Sequence, residues 1–313
     1  MTTLKDVAFK ANVSKMTVSR VINHPELVTD ELKELVYKAM AELDYKPNVA
    51  AKALAKNKTL VVKLLILEEL DVAEPHYMHL MTGIARALDK YQYALQLVTE
   101  NTIDSGGSDG YIIAGTRQSD YEWIQSLKQP VVIFGENTHG VPFVDSNNYQ
   151  ATAQATQYAI QRGYEHIVFV GIDIDEPFEQ SREKGYLETM LAHNKDVHIY
   201  HVRNSSSFTA QFLEQLTLHD NTCFICASDR IGVGIERALL TLGKKIPHDY
   251  GIIGFDGVFL DRMASLPLTT MKQDIVGMGE QCAEQLMHLI NHKPLTQTKS
   301  YFDAELVVRE STK

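Results

Sequence analysis

The sequence predicts a small all-α helix-turn-helix domain followed by an α/β core of two Rossmann-like layers. Over the first 45 residues apolar positions recur at helical spacing, and from Leu60 onward short apolar runs alternate with amphipathic helical ones. Charge separates the same two parts. Residues 1–58 hold ten Lys/Arg against seven Asp/Glu, a balance of +3, whereas the remaining residues hold 20 against 33, a balance of −13, which together give the net −10. The amino-terminal part is therefore the region suited to a polyanion, and the rest of the chain repels one.

Taken in order, LKDVAFKA places Leu4, Val7 and Ala8 on one face, Asn12-Val13-Ser14 turns the chain, and KMTVSRVIN places Val18, Val21 and Ile22 inward. Thr29 and Asp30 are available as caps for a third helix with Leu32, Leu35, Val36, Ala39, Met40 and Leu43 on its apolar side. Two helices joined by so short a turn make a helix-turn-helix unit. The stretch KPNVAAKALAKNK follows. Pro47 pre-sets a first helical turn, but about nine residues are too few for an isolated helix in water, so this segment needs a partner to fold.

Beyond it, VVKLLIL, ALQLVT, GYIIAG, PVVIFG, HIVFVG, CFICAS and YGIIGF read as strands, separated by helix-like runs such as YMHLMTGIARALDKY and SREKGYLETMLAH. Strands apolar along their whole length indicate parallel sheets covered on both faces, with ligands at their carboxyl ends. One spacing is odd: ENTIDSGGSD, between ALQLVT and GYIIAG, is too short and polar for a crossover helix. Either that helix is missing or the two strands are not parallel neighbours.

Several chemistries are not indicated. The three cysteines do not make a disulfide framework, and Cys223 and Cys226 fall three apart in a strand-like run, pointing to opposite faces. His76 with His79, and His193 with His198 and His201, lack a further ligand at metal-site spacing, so no metal or cofactor is expected. Gly232-Val233-Gly234 sits inside an amphipathic run and reads as helix packing rather than a dinucleotide loop. With no GxSxG and no Walker lysine, the reading is a non-enzyme. MTTLKDVAFK carries no secretion-signal core and LVVKLLIL is too short to span a bilayer, so the expected compartment is the cytoplasm, with no membrane partner.

TLKDVAFKANVSKMTVSRVIN followed by ELDYKPNVAAKALA resembles the headpiece and hinge of the LacI/GalR family of bacterial transcription repressors. SDGYIIAG, GYEHIVFVG, REKGY, ASDRIGVGIERALLTLGKKIPHDYGIIGFDG and PLTTMKQ continue the resemblance in family order through nearly the whole chain. It implies a headpiece over 1–45, a hinge helix over 46–58, and a periplasmic-binding-protein-like core. In that core, 59–146 with 274–303 form one subdomain and 147–273 with 304–313 the other. The function it implies is a homodimeric regulator of carbohydrate utilisation, acting as a repressor on a pseudo-palindromic operator and controlled by a small sugar-like effector. A purine or a phosphocarrier protein is the alternative effector.

The family places the second helix in the major groove, which makes Lys15, Met16 and Arg20 the base readers: cations suit guanine O6/N7 and the methionine suits a thymine methyl. Ser14, Thr17, Ser19, Asn23 and Asn48 are then phosphate contacts. In the minor groove Leu54 is the expected wedge, with Ala50 and Ala51 letting two hinge helices approach. For the effector the matching positions are His76, Tyr77, Gly135, Glu136, Arg182, Phe208, Ser228, Asp229, Asp256 and Gln273, with Asp229 either reaching the ligand or capping its helix. This chain departs from the family at Asn147 and at Gly135, both commonly aspartate, and at the shortened Glu100–Asp109 segment near the expected dimer interface.

Overall fold

A computed structural model describes residues 2–23, 25–45, 58–68, 75–98 and 106–313. These fall into two units, residues 1–59 and 60–313. The hinge residues Asn48, Ala50, Ala51 and Leu54 lie outside the described residues.

In the first unit, helices α1 (Leu4–Lys10), α2 (Lys15–Asn23) and α3 (Asp30–Glu42) enclose a small core built on Val7, Val18, Val21, Val36 and Ala39. Asn12 makes the turn between α1 and α2 at φ 51°, a left-handed conformation that asparagine tolerates well. The third helix differs in two details from its sequence pattern. Leu35 is 51% exposed, one position off the Val36–Ala39 stripe. Thr29 occupies the cap position without a side-chain cap bond, and Asp30 instead accepts from Lys33 at 2.9 Å.

The second unit holds two six-stranded sheets. The first comprises β1 (Val61–Ile66), β2 (Ala94–Val98), β3 (Gly110–Ala114), β4 (Val131–Phe134), β5 (Phe143–Ser146) and β11 (Lys299–Phe302), in the spatial order β11-β5-β4-β3-β1-β2. In the second, β6 (His166–Ile172), β7 (His198–Val202), β8 (Thr222–Cys226), β9 (Tyr250–Asp256), β10 (Thr269–Lys272) and β12 (Glu305–Val307) run in the order β12-β10-β9-β8-β6-β7. All pairings are parallel except the antiparallel β10–β12 edge. The chain passes between the sheets three times, after β5, after β10 and after β11. The helices are α4 (His76–Tyr91), α5 (Tyr121–Ser126), α6 (Asn148–Gln161), α7 (Pro177–Ala192), α8 (Ser206–Leu213), α9 (Asp229–Thr241), α10 (Leu260–Met263) and α11 (Ile275–Ile290).

The odd spacing between the second and third strands resolves into its second alternative. Both β2 and β3 pair parallel with β1, on opposite sides of it, so the two are not neighbours. Lys63, which interrupts the apolar run of β1, is fully buried, and its ammonium donates to the Gly106 carbonyl at 2.9 Å. Cys223 and Cys226 are free thiols buried in the β8 core, and burial pushes both pKa values up. Gly234 abuts α8, where an added Cβ would lie 2.6 Å from the Ser206 carbonyl, so this glycine serves helix packing. Among the described residues no helix is long and apolar enough to cross a membrane.

Helices α4 and α11 cover one face of the first sheet, and their approach depends on Gly83. An added Cβ there would sit 2.0 Å from the Val276 carbonyl oxygen, a backbone atom that cannot move without shifting a helix. Gly83→Ala is expected to destabilise the protein by about 1–3 kcal/mol. Denaturant unfolding checks this: the midpoint falls while the slope of the transition is kept.

Candidate functional site

The predicted residues gather in two regions. At the start of α2 the Ser14 hydroxyl accepts from the Thr17 amide at 3.0 Å and lies 2.8 Å from the Thr17 hydroxyl, so these two side chains fix the helix start. Val18 and Val21 point into the core. Lys15, Met16 and Arg20 are exposed, Met16 at 69%, while Ser19 is half-buried. The exposed face of α2 thus carries two cations and an apolar methionine.

In the second unit the residues lie where strands of both sheets end. Arg182, on α7, is 6% exposed and carries a charge that burial makes costly unless it is paired. Its Nε donates to Asn148 Oδ1 at 2.9 Å and its Nη1 to the Ala227 carbonyl at 2.6 Å. The guanidinium lies 3.8 Å from the centre of the Phe255 ring and 5.0 Å from that of Phe178. Asn148 in turn donates to Asp145 Oδ2 at 3.0 Å, and the same oxygen accepts the Glu136 amide at 2.8 Å. Glu136 carries the chain of contacts back across the layers, because its carboxylate accepts from Ser181 on α7 and from Tyr301 on β11, each at 2.9 Å.

Gly135 has φ +123°, where an added Cβ would meet nothing within 4 Å. The family's aspartate would be strained on this backbone, and the carboxyl group next in the chain is that of Glu136. His76 starts α4 with its ring 5.9 Å from Phe134, at the end of β4. The Tyr77 hydroxyl donates to Glu68, which also receives Arg117 Nη2 at 3.3 Å.

The remaining positions form a second group. Gln273 donates from Nε2 to Asp256 Oδ1 at 2.8 Å and accepts Ser146 Oγ at 2.6 Å, joining two of the segments that pass between sheets. Asp256 is held at φ 114°, a strained backbone for a residue with a side chain. Ser228, not Asp229, caps α9, because its hydroxyl accepts the Ile231 amide at 3.2 Å while also donating to Asn204. Asp229 is 1% exposed, and its oxygens accept the Gly257 amide at 2.8 Å and the Thr270 hydroxyl at 2.7 Å, so it braces the loop after β9. Burial and the neighbouring Asp256 push its pKa well up. Phe208 stands apart from the Arg182 network, half exposed, with the Arg203 guanidinium 5.1 Å from its ring centre. Asn147 does cap α6, accepting the Gln150 amide at 3.3 Å, so the departure from aspartate leaves the cap in place.

Sequence reasoning missed Asp145, Asn148, Ser181 and Tyr301. The first two, with Ser146, form a polar cluster at the end of β5, a local signal in the sequence that the site begins there. A cavity of about 510 Å³ bordered by Asp220, Pro247, His248 and Lys313 lies at the amino ends of β8 and β9, away from all these residues.

A family model described as bacterial regulatory proteins, lacI family, matches residues 3–48, and one described as a periplasmic binding protein-like domain matches residues 156–312. Over 315 aligned residues, covering 100% of both proteins, the chain is 51% identical to the uncharacterized HTH-type transcriptional regulator YvdE of Bacillus subtilis (strain 168). The chain belongs to the lacI family. It is a transcriptional regulator and not an enzyme, and proteins of this family bind DNA operators. The ribose operon repressor of Bacillus subtilis (strain 168) is 29% identical to this lacI-family chain over 327 residues, 100% of this chain and 99% of that one. Among solved structures, a complex of the regulator CelR with cellobiose is 26% identical with a TM-score of 0.73, covering 99% of this chain and 100% of that one. The lac repressor dimer bound to operator and the anti-inducer ONPF shares the fold at 21% identity, with a TM-score of 0.76 and 99% of each chain covered.

Two titrating groups of this lacI-family site oppose each other. Burial raises Asp145 from 3.8 to about 6 despite the amides it accepts, so the stability it contributes is present below its unfolded pKa and lost as pH rises through about 6. Burial first, then Arg182, lowers His76 from 6.5 to about 4, so its contribution is present above 6.5 and lost as pH falls through about 4. Asp145→Asn removes one of the buried carboxyls that oppose His76, and acidification from pH 7 to 4 should then cost the variant about 2–3 kcal/mol more than the parent. His76→Gln should reverse the sign. Denaturant midpoints across that range check both, and three parallel pH curves would refute the assignment.

Proposed function

We propose that this lacI-family regulator is a cytoplasmic homodimer that represses genes of carbohydrate use from a pseudo-palindromic operator and is controlled by a small sugar-like effector. The effector occupies the region between the subdomains 59–146 with 274–303 and 147–273 with 304–313. One observation carries this reading: Arg182, Asn148, Asp145 and Glu136 form a polar chain flanked by the rings of Phe255 and Phe178 at the strand ends of both sheets. Hydroxyl-binding groups beside aromatic faces are what a sugar ring requires, with polar edges and apolar faces served together. The names of the ribose operon repressor and of the CelR–cellobiose complex point the same way. His76, Tyr77, Gln273 and Asp256 line the same strand ends, and Phe208 offers a further ring surface.

Lys15, Met16 and Arg20 read base edges. Ser14, Thr17, Ser19, Asn23 and Asn48 hold phosphates, and Leu54 with Ala50 and Ala51 acts in the minor groove as the hinges of two protomers pair. Effector binding reorients the two core layers about their three connections and so alters the separation of the hinges, a coupling of two distant sites through one two-state element.

Arg20→Ala should relax sequence preference without abolishing DNA binding, costing about 1–3 kcal/mol on the best sequence. A preference profile from randomised duplexes checks this, and an unchanged profile rules out base reading at Arg20. Leu54→Ala should weaken specific operator binding far more than binding to random DNA. Gel shifts on both duplexes at fixed salt measure the difference; equal loss on the two would remove the wedge role.

A further inference from the structure

Glu136 follows β4 by two residues, and its carboxylate receives two hydroxyl donors from different layers. Tyr301 Oη comes from the last strand of the first sheet and Ser181 Oγ from the helix that follows β6 of the second. The same pair of segments meets a second time through buried groups, since the Glu136 amide reaches Arg182 by way of Asp145 and Asn148. These two ties differ in kind. Asp145, Asn148 and Arg182 are 7%, 1% and 6% exposed, so breaking that tie leaves buried polar groups unpaired. The Ser181–Glu136–Tyr301 tie joins half-buried and exposed groups, and another hydroxyl can replace either donor with little net loss.

One hydroxyl on each oxygen of a single carboxylate is the arrangement a vicinal diol presents. The carboxylate and both donors are reached by solvent in part, Tyr301 being 46% exposed, and the backbone just before Glu136 is open, since a Cβ added at Gly135 would meet nothing within 4 Å. We propose that Ser181 is a built-in competitor for Glu136: a ligand bearing a vicinal diol replaces the Ser181 and Tyr301 hydroxyls on that carboxylate and thereby releases the exchangeable tie between the layers, while Arg182 keeps the buried one. This rests on the sugar-effector reading and adds to it the contact whose exchange turns ligand binding into a change of layer orientation. It also defines ligand chemistry. Two adjacent hydroxyls are required at Glu136, and a carboxylate or phosphate at that position of the ligand is repelled.

The experiment uses the full-length protein in thermal-shift and calorimetric titrations with D-ribose, cellobiose, maltose, D-galacturonate and hypoxanthine. For a sugar that binds, the parent is compared with Ser181→Ala, Tyr301→Phe and Glu136→Gln, and the sugar with its monodeoxy analogues. Ser181→Ala should bind the sugar roughly 3–10-fold more tightly, and Tyr301→Phe more tightly as well, since each removes a competing donor. Glu136→Gln should bind about tenfold more weakly and lose the parent's discrimination against one deoxy analogue. A sugar that binds the parent but binds Ser181→Ala and Tyr301→Phe no more tightly overturns this inference and leaves the sugar reading standing. So does discrimination between sugar and deoxy analogue that persists in Glu136→Gln. A parent that binds none of the three neutral sugars overturns the sugar reading and this inference with it.

Discussion

Much of the core depends on the burial of one guanidinium. Arg182 is nearly inaccessible to water, and an unpaired charge in that position would cost several kcal/mol, a large share of a domain's margin of stability. Its satisfaction requires four segments to arrive together: the Asn148 amide at the start of α6, the Ala227 carbonyl after β8, the Phe255 ring near the end of β9, and α7 itself. Replacing a buried, satisfied ion by an apolar side chain is often tolerated for stability, so such a group is better understood as fixing one arrangement. Here it holds α7 and the ends of β8 and β9 to the start of α6, two residues after β5 of the first sheet ends.

That constraint also sets the electrostatics. The carboxylates near Arg182 lie in low-dielectric surroundings, and burial pushes Asp145 and Glu179 upward while Arg182 pulls both down. Glu176, on the turn before α7, is raised in the same way against the pull of Arg117 from the first layer. Among the described residues the two layers are joined by polar contacts, and the apolar clusters around Phe169 and Tyr250 on one side and Ile113 and Ile133 on the other are separate. Layers so joined can change their relative orientation by exchanging hydrogen bonds, with each apolar core kept intact.

Much of the architecture was legible because its signals are local. Amphipathic spacing marked α1 to α3, α4 and α7, and continuous apolar runs marked β1, β3, β4, β6, β8 and β9. Elements that escaped notice are short or carry polar residues inward. Strand β5 contains Asp145 and Ser146, both buried by tertiary contacts, and β7 is an edge strand whose five residues include two histidines and a tyrosine. Helix α8 is two turns long and begins within a run of three serines. At the site, Arg182 and Glu136 were found through the family pattern, but Asn148 and Ser181 lie 34 and 45 positions from the residues they bond and meet them only in the folded chain.

Periodicity, charge and ordered motifs belong to neighbouring residues, and they suffice to mark the basic helical headpiece, the acidic α/β core, its parallel sheets and the family. That β2 and β3 flank β1, that Ser228 rather than Asp229 caps α9, and that Glu136 is shared by hydroxyls from both layers emerge in the folded chain alone. Each of those outcomes depends on satisfying buried or half-buried polar groups across long chain separations. Such pairing is decided by which atoms packing brings within hydrogen-bond reach.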